Sequence, residues 1–399
     1  MNASPADQSL PGPARSVTVE VDLDAIRDNV AELNRRAGDA EVLAVVKADA
    51  YGHGLVPSAR AALAGGATWL GVAQLDEAIR LRRSGVDAPL LTWLYPPGAD
   101  LTTALDLGID VTVSSVAALT QLLDAADATG ATARVHLKVD TGLSRNGAVG
   151  AGWAALLDAA ADAEAEESVD IVGVWSHFAY ADQPTHPTVL AQRERFEEAL
   201  ADVARAGLRP AYRHLANSAA TLTNPSAHYD LVRPGLAVYG LSPVPDLGGP
   251  ADFGLREAMR VTAPLTLTKS VPAGTGVSYG HTYTTAVPTT LGLVPMGYAD
   301  GVPRAASNVG PVQVGGRRLR VAGRVCMDQF VLDLGAEYAG GPGDEVVVMG
   351  RSGEGEPTAQ DWAEATDTIN YEIATRMAPH TPRTYVGDPA LVAHATGQG

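Results

Sequence analysis

The feature that most constrains this chain is an alternation. From about residue 22 to 240, short β-branched or apolar runs are followed repeatedly by longer segments with helical periodicity. Candidate strands lie at 42–47, 69–73, 89–94, 109–113, 134–139, 171–176, 212–216 and 231–239. Candidate helices lie between them at 55–64, 75–84, 115–129, 151–166 and 187–207. One more helix precedes the first strand. There Ile26, Val30, Leu33 and Ala37 share an apolar face, and Gly38 supplies a stop. Eight strands, each trailed by a helix over roughly 200 residues, is the count of a (β/α)8 TIM-type barrel. A doubly wound open sheet is the alternative. The barrel carries a demand of its own: functional residues should fall at the C-terminal ends of strands.

Past residue 240 the pattern changes. Residues 242–250 (SPVPDLGGP) read as a boundary. Segments 264–271, 289–295, 311–314, 317–325, 330–334 and 345–349 are short, alternating and punctuated by glycine, which predicts a mainly-β domain. A last helix is expected at about 359–377. The expected division is a disordered tail at 1–16, an α/β barrel at 17–245 and a C-terminal β-domain at 246–399. Charge narrows the partners. With 29 Lys and Arg against 46 Asp and Glu, the net charge of −17 repels nucleic acid and anionic membranes alike. The single cysteine, Cys326, excludes an internal disulfide framework and a Cys-rich metal site. No apolar run is long enough to cross a membrane, and residues 1–16 lack the apolar core of a secretory signal. The expectation is a cytoplasmic enzyme with no metal.

Lys47 is the first anomaly. It closes the apolar run Leu43-Ala44-Val45-Val46 at the end of a predicted barrel strand. Lysine is almost never fully buried without a partner. In a barrel mouth, desolvation would lower its pKa and free the neutral amine that Schiff-base chemistry needs. A lysine that packs its stem and reaches water with its head is the other reading. The surrounding segment VVKADAYGHG (45–54) resembles the pyridoxal-phosphate attachment segment of alanine racemases. Further segments similar to that family follow in order: KVDTGLSRNG (138–147), SHFAYAD (176–182), HLANSAAT (214–221) and LVRPGLAVYG (231–240). VSYGHTY (277–283), GYADG (297–301), GRVCMDQ (323–329) and TINYE (368–372) complete the set, so the resemblance spans about residues 17 to 386.

The resemblance implies a fold, a cofactor and roles. The cofactor is pyridoxal 5′-phosphate, attached at Lys47. Arg145 is implied to face its phenolic oxygen and the substrate carboxylate, a task suited to a guanidinium's charge-assisted bonds. Lys138, near Arg145, is a position often carbamylated in the family. Arg233 is implied to meet the pyridine nitrogen. Arginine keeps its proton, so that nitrogen stays an unprotonated acceptor, which suits racemisation better than decarboxylation. Tyr51, Ser218, Gly235 and Tyr371 are the implied phosphate-binding positions, and Ser218 also reads as a helix cap. Tyr279 is the implied second base, opposite Lys47. Free tyrosine titrates near pH 10, and the family assists it through His177. The Met327 backbone N–H is implied to bind the substrate carboxylate. Tyr298 and Asp328 resemble positions that narrow access to small amino acids.

The resemblance further implies a homodimer with shared active sites, acting on alanine by two-base α-proton transfer to supply D-alanine for peptidoglycan. The alternative within the fold is a racemase for serine or of broad specificity. A decarboxylase of the same fold type is disfavoured by Arg233. A non-catalytic vitamin B6-binding protein is disfavoured by the second domain, which carries Tyr279.

Overall fold

A computed structural model describes residues 17–395; the expected tail at 1–16 lies outside them. The chain opens with strand β1 (Thr18–Asp22) and a helix at Leu23–Ala37. Asp22 caps that helix by accepting from the Ala25 N–H at 3.0 Å. Ile26, Val30, Leu33 and Ala37 are all buried, as the apolar face predicts, and Gly38 ends the helix at φ 67°.

Eight parallel strands then form one sheet: β2 (Glu41–Val45), β3 (Trp69–Gln74), β4 (Leu90–Leu94), β5 (Asp110–Val113), β6 (Ala133–Lys138), β7 (Val169–Trp175), β8 (Tyr212–His214) and β9 (Leu231–Val232). Strands β2 to β8 pair in chain order, and β9 returns to pair with β2 through Glu41↔Leu231 and Val42↔Val232. The seam between β8 and β9 closes with the Asn217–Arg233 bridge, where the Arg233 N–H donates to the Ala216 carbonyl at 2.9 Å. A sheet whose last strand rejoins its first is a barrel, not a doubly wound open sheet. Helices such as Val116–Thr129 and Pro187–Arg205 fill the crossovers, started by Ser115 and by a first-turn proline.

The second domain is mainly β. It holds a three-stranded antiparallel sheet of Leu267–Val271, Thr289–Val294 and Phe330–Gly335. Its larger sheet has six strands, including β10 (Met259–Pro264), Pro311–Val314 and Glu345–Met349. Strand β1, which periodicity did not reveal, lies in this sheet, antiparallel to β10 and parallel to Arg383–Val386.

Several expected elements need correction. The strand expected at 317–325 covers only Arg317–Arg320, and the one expected at 264–271 falls on two, Met259–Pro264 and Leu267–Val271. The strand expected at 231–239 stops at Val232. Pro234 has no N–H to give a ladder, and after Gly235 the chain winds into a 3-10 turn at Leu236–Tyr239. The helix expected at 359–377 is two, Ala359–Thr366 and Asn370–Arg376, because Asp367 adopts the left-handed conformation at φ 55°. The strand expected at 42–47 ends at Val45, and Lys47 begins a different structure, a left-handed turn.

Candidate active site

Ala48, Asp49, Ala50 and Tyr51 all have positive φ, between 51° and 56°. None is glycine, and L-residues avoid this region at roughly 1–2 kcal/mol each. Surrounding bonds compensate. The Asp49 N–H donates to Glu77 Oε1 at 3.1 Å, and the Asp49 carboxylate accepts from the Leu55 N–H at 3.0 Å. Gly52 and Gly54, both at positive φ, carry the chain onward into the helix Leu55–Ala64. This turn brings both Lys47 and Tyr51 to the C-terminal mouth of the barrel.

A cavity of about 980 Å³ opens there. Lys47, Tyr51, Arg145, His177, Ser218, Arg233, Gly235 and Tyr371 all line it, as does Lys138. Each barrel residue among them follows the C-terminal end of a strand or ends one, which is the demand the fold makes. Tyr371 comes from the second domain's Asn370–Arg376 helix, which roofs the cavity with Ile369, Thr375 and Arg376. Two residues expected at the site are not in this cavity. Tyr279 is 71% exposed and Met327 54% exposed. Tyr298, expected to narrow access, is likewise on the surface.

Arg145 is presented by a loop shaped by Asp140, whose carboxylate accepts from the N–H groups of Gly142, Leu143 and Ser144 at 2.8–3.1 Å. Arg233 is buried and held by acceptors on several sides. It donates to the Ser176 carbonyl at 2.7 Å and the Leu215 carbonyl at 3.3 Å, and it meets His177 Nδ1 at 3.4 Å and His214 Nδ1 at 3.3 Å. Its guanidinium also lies 4.7 Å from the Trp175 ring centre, and the Lys138 amine lies 4.0 Å from the same ring. Periodicity missed Trp175 and Trp93 as cavity residues. Their positions near the ends of apolar strands were the available signal.

So many cations in one mouth shape its electrostatics. Desolvation, with Arg145 beside it, lowers the Lys47 amine's pKa below the ordinary lysine value. Burial and the two guanidiniums bring Lys138 down to about 7. His177 is held well below its ordinary value by desolvation and then by Arg233 and Arg145, so its imidazole is neutral at pH 7. Burial pushes the Tyr51 and Tyr371 hydroxyls up, Tyr371 to about 12, so both remain O–H donors.

Those hydroxyls sit in one corner with Ser218 and Gly235. Ser218 is not the helix cap; Asn217 is, accepting from the Ala220 N–H at 3.1 Å. The Ser218 hydroxyl oxygen instead accepts from the Gly235 N–H at 2.7 Å and the Ala237 N–H at 3.3 Å. A Cβ on Gly235 would stand 2.4 Å from the Tyr51 hydroxyl, so only glycine keeps this corner open. A cradle of hydroxyls and amides, with amine and guanidinium nearby, fits a phosphate dianion and would repel a metal ion.

The N-terminal domain model of alanine racemases matches residues 21–243, and the C-terminal domain model matches residues 258–385. The chain belongs to the alanine racemase family. The alanine racemase of Salinispora tropica is 59% identical over 371 residues, covering 93% of this chain and 98% of that one. That of Frankia casuarinae is 57% identical over 383 residues, covering 96% and 98%. Among solved structures, the alanine racemase of a D-cycloserine-producing Streptomyces lavendulae superposes with a TM-score of 0.93 at 53% identity, covering 94% of this chain and 98% of that one. Membership makes this chain a racemase, an isomerase built as a barrel with a C-terminal mainly-β domain, as expected from periodicity and motif. No helix among the described residues is long and apolar enough to cross a membrane.

Proposed function

We propose that this member of the family interconverts L- and D-alanine with pyridoxal 5′-phosphate attached at Lys47, as a homodimer whose two sites are each completed by the partner subunit. What carries the reading is one cavity that joins a desolvated lysine amine, two guanidiniums and a corner of hydroxyls and backbone amides suited to a phosphate. Tyr51, Ser218, Gly235 and Tyr371 would hold the phosphate, and Arg233 would face the ring nitrogen. When bound, the cofactor supplies an electron-accepting ring that acidifies the substrate's α-proton. Lys47 supplies a neutral amine to hold that proton at Nζ on one face of Cα. Arg145 offers charge-assisted bonds to the substrate carboxylate. Arg233, which only donates, leaves the ring nitrogen unprotonated and so restrains charge flow into the ring, favouring return of a proton to Cα over side reactions.

Inversion needs a second proton donor on the opposite face. Tyr279 and Met327 suit that task and substrate binding, and both are exposed on this subunit and absent from its own cavity. A two-fold dimer would bring the partner subunit's pair to the mouth. The setting proposed is cytoplasmic supply of D-alanine for peptidoglycan, in keeping with a single half-buried cysteine and no need for disulfides.

Borohydride reduction of the cofactor-loaded protein, followed by peptide mapping, should place a pyridoxyl group on Lys47. Racemisation assays over a panel of amino acids should favour alanine over serine and larger side chains. A label on another lysine, or a serine rate above that of alanine, would overturn the reading.

A further inference from the structure

A row of polar residues runs from the cavity down into the barrel, where the fold ordinarily packs branched apolar side chains. His214 Nδ1 meets Arg233 Nη1 at 3.3 Å. His214 Nε2 lies 2.9 Å from His136 Nδ1, and His136 Nε2 lies 3.3 Å from Asp110 Oδ2. Arg134 closes the row at the barrel floor, with Nε 2.9 Å from Asp110 Oδ1 and Nη2 3.2 Å from Asp110 Oδ2. His136, His214 and Asp110 are buried. We propose that Asp110 and His136 are positioning residues for Arg233, fixing the direction of a hydrogen-bond chain that ends on its guanidinium. The consequence for catalysis rests on the reading above, in which Arg233 faces the cofactor.

The direction follows from counting protons. A guanidinium has no lone pair to offer, so His214 Nδ1 must accept. A neutral His214 then carries its proton on Nε2 and donates to His136 Nδ1. His136 in turn carries its proton on Nε2 and donates to Asp110. Every ring nitrogen in the chain has one partner and one role, and the row ends on a carboxylate that only accepts. The Arg134 fork donates to both oxygens of that carboxylate by charge-assisted bonds and anchors it at the floor. Each bond polarises the next, so the anion at the floor strengthens the acceptor that holds Arg233 at the mouth. Space for the row is reserved on β7: a Cβ on Gly173 would stand 2.4 Å from His136 Nδ1. Asp110 touches neither the cavity nor Arg233, so any effect it has on the reaction passes through the two imidazoles.

Solid-state NMR of the full chain with nitrogen-15 histidine reads the tautomers directly, with and without pyridoxal 5′-phosphate. Both His136 and His214 should show neutral rings protonated at Nε2. In Asp110→Asn the His214 resonances should shift although no contact joins the two residues, while Asp170→Asn, an exposed partner of Arg134, should leave them in place. The Asp110→Asn enzyme should lose about tenfold in kcat with KM for alanine within about twofold, the scale of losing an outer supporting partner. A His214 protonated at Nδ1 in the unsubstituted protein would overturn the proposal even if Asp110→Asn failed to fold. So would unmoved His214 signals in a folded Asp110→Asn. Tautomers as stated, with no change at Arg233 or His214 on adding cofactor, would uphold the chain and overturn only the cofactor role of Arg233.

Discussion

Lys138 shares the mouth of the barrel with two guanidiniums and the Trp175 ring, and its charge is unwelcome there. Burial and these neighbours bring its pKa down from 10.5 to about 7. The folded chain therefore holds fewer protons than the unfolded chain between about pH 7 and 10.5. Stability follows the difference in bound protons, so it should rise with pH across that window. In cofactor-free protein prepared without bicarbonate, the urea midpoint should increase from pH 7.5 to 9.5, and Lys138→Met should flatten that increase. An equal slope in both proteins would contradict the assignment. The same uncharged amine is the form that adds carbon dioxide, losing a proton and leaving an anion between Arg145 and Arg233. This is why the modification the family resemblance implies is chemically sensible at this residue.

At the scale of elements, the left-handed turn after β2 stands out, since four consecutive non-glycine residues occupy a region that L-residues avoid. Ala48 is exposed, so its methyl contributes strain without packing the core. Ala48→Gly should raise stability by about 1 kcal/mol where Ala→Gly is ordinarily unfavourable, and Ala48→Val should lower it by as much or more. Urea denaturation of the three proteins checks the order; a glycine variant less stable than the parent would show the turn to be unstrained. The turn also marks where sequence reading stops. The motif around Lys47 located the residue, but nothing in Ala-Asp-Ala-Tyr signals positive φ, because one of the bonds that holds the turn comes from Glu77, some thirty residues on. Barrel strands and helices were legible because their periodicity is local. Strand β1 was not, since its partner β10 lies more than two hundred residues away. The row under Arg233 was hidden for the same reason, although Arg134, His136 and Lys138 alternate along β6 and so share one face.

Taken as a whole, the chain holds Lys47 in a cavity and shows Tyr279 to the outside. If partners exchange these residues, two dead proteins can restore each other. Lys47→Ala and Tyr279→Phe should each be inactive alone. After random subunit exchange, half the dimers are mixed and each has one intact site of two, so about a quarter of the parent activity should return in a two-fold dimer. No recovery, with exchange verified by tagged pull-down, would mean that each subunit serves itself.

The six-stranded sheet also sets a timetable for synthesis. Strand β1 lies between β10 and Arg383–Val386, so an early segment of the nascent chain waits on two late ones. At about 5–20 residues per second, β10 follows β1 by roughly 12–48 s, and the last strand emerges later still. The barrel can close on the ribosome while β1 hangs from its first helix with both edges bare. The ribosome thus releases a chain whose barrel can be closed while its sheet and the Asn370–Arg376 roof of the cavity are unfinished, and in that interval the chain is most open to chaperones and to sticking to its own kind.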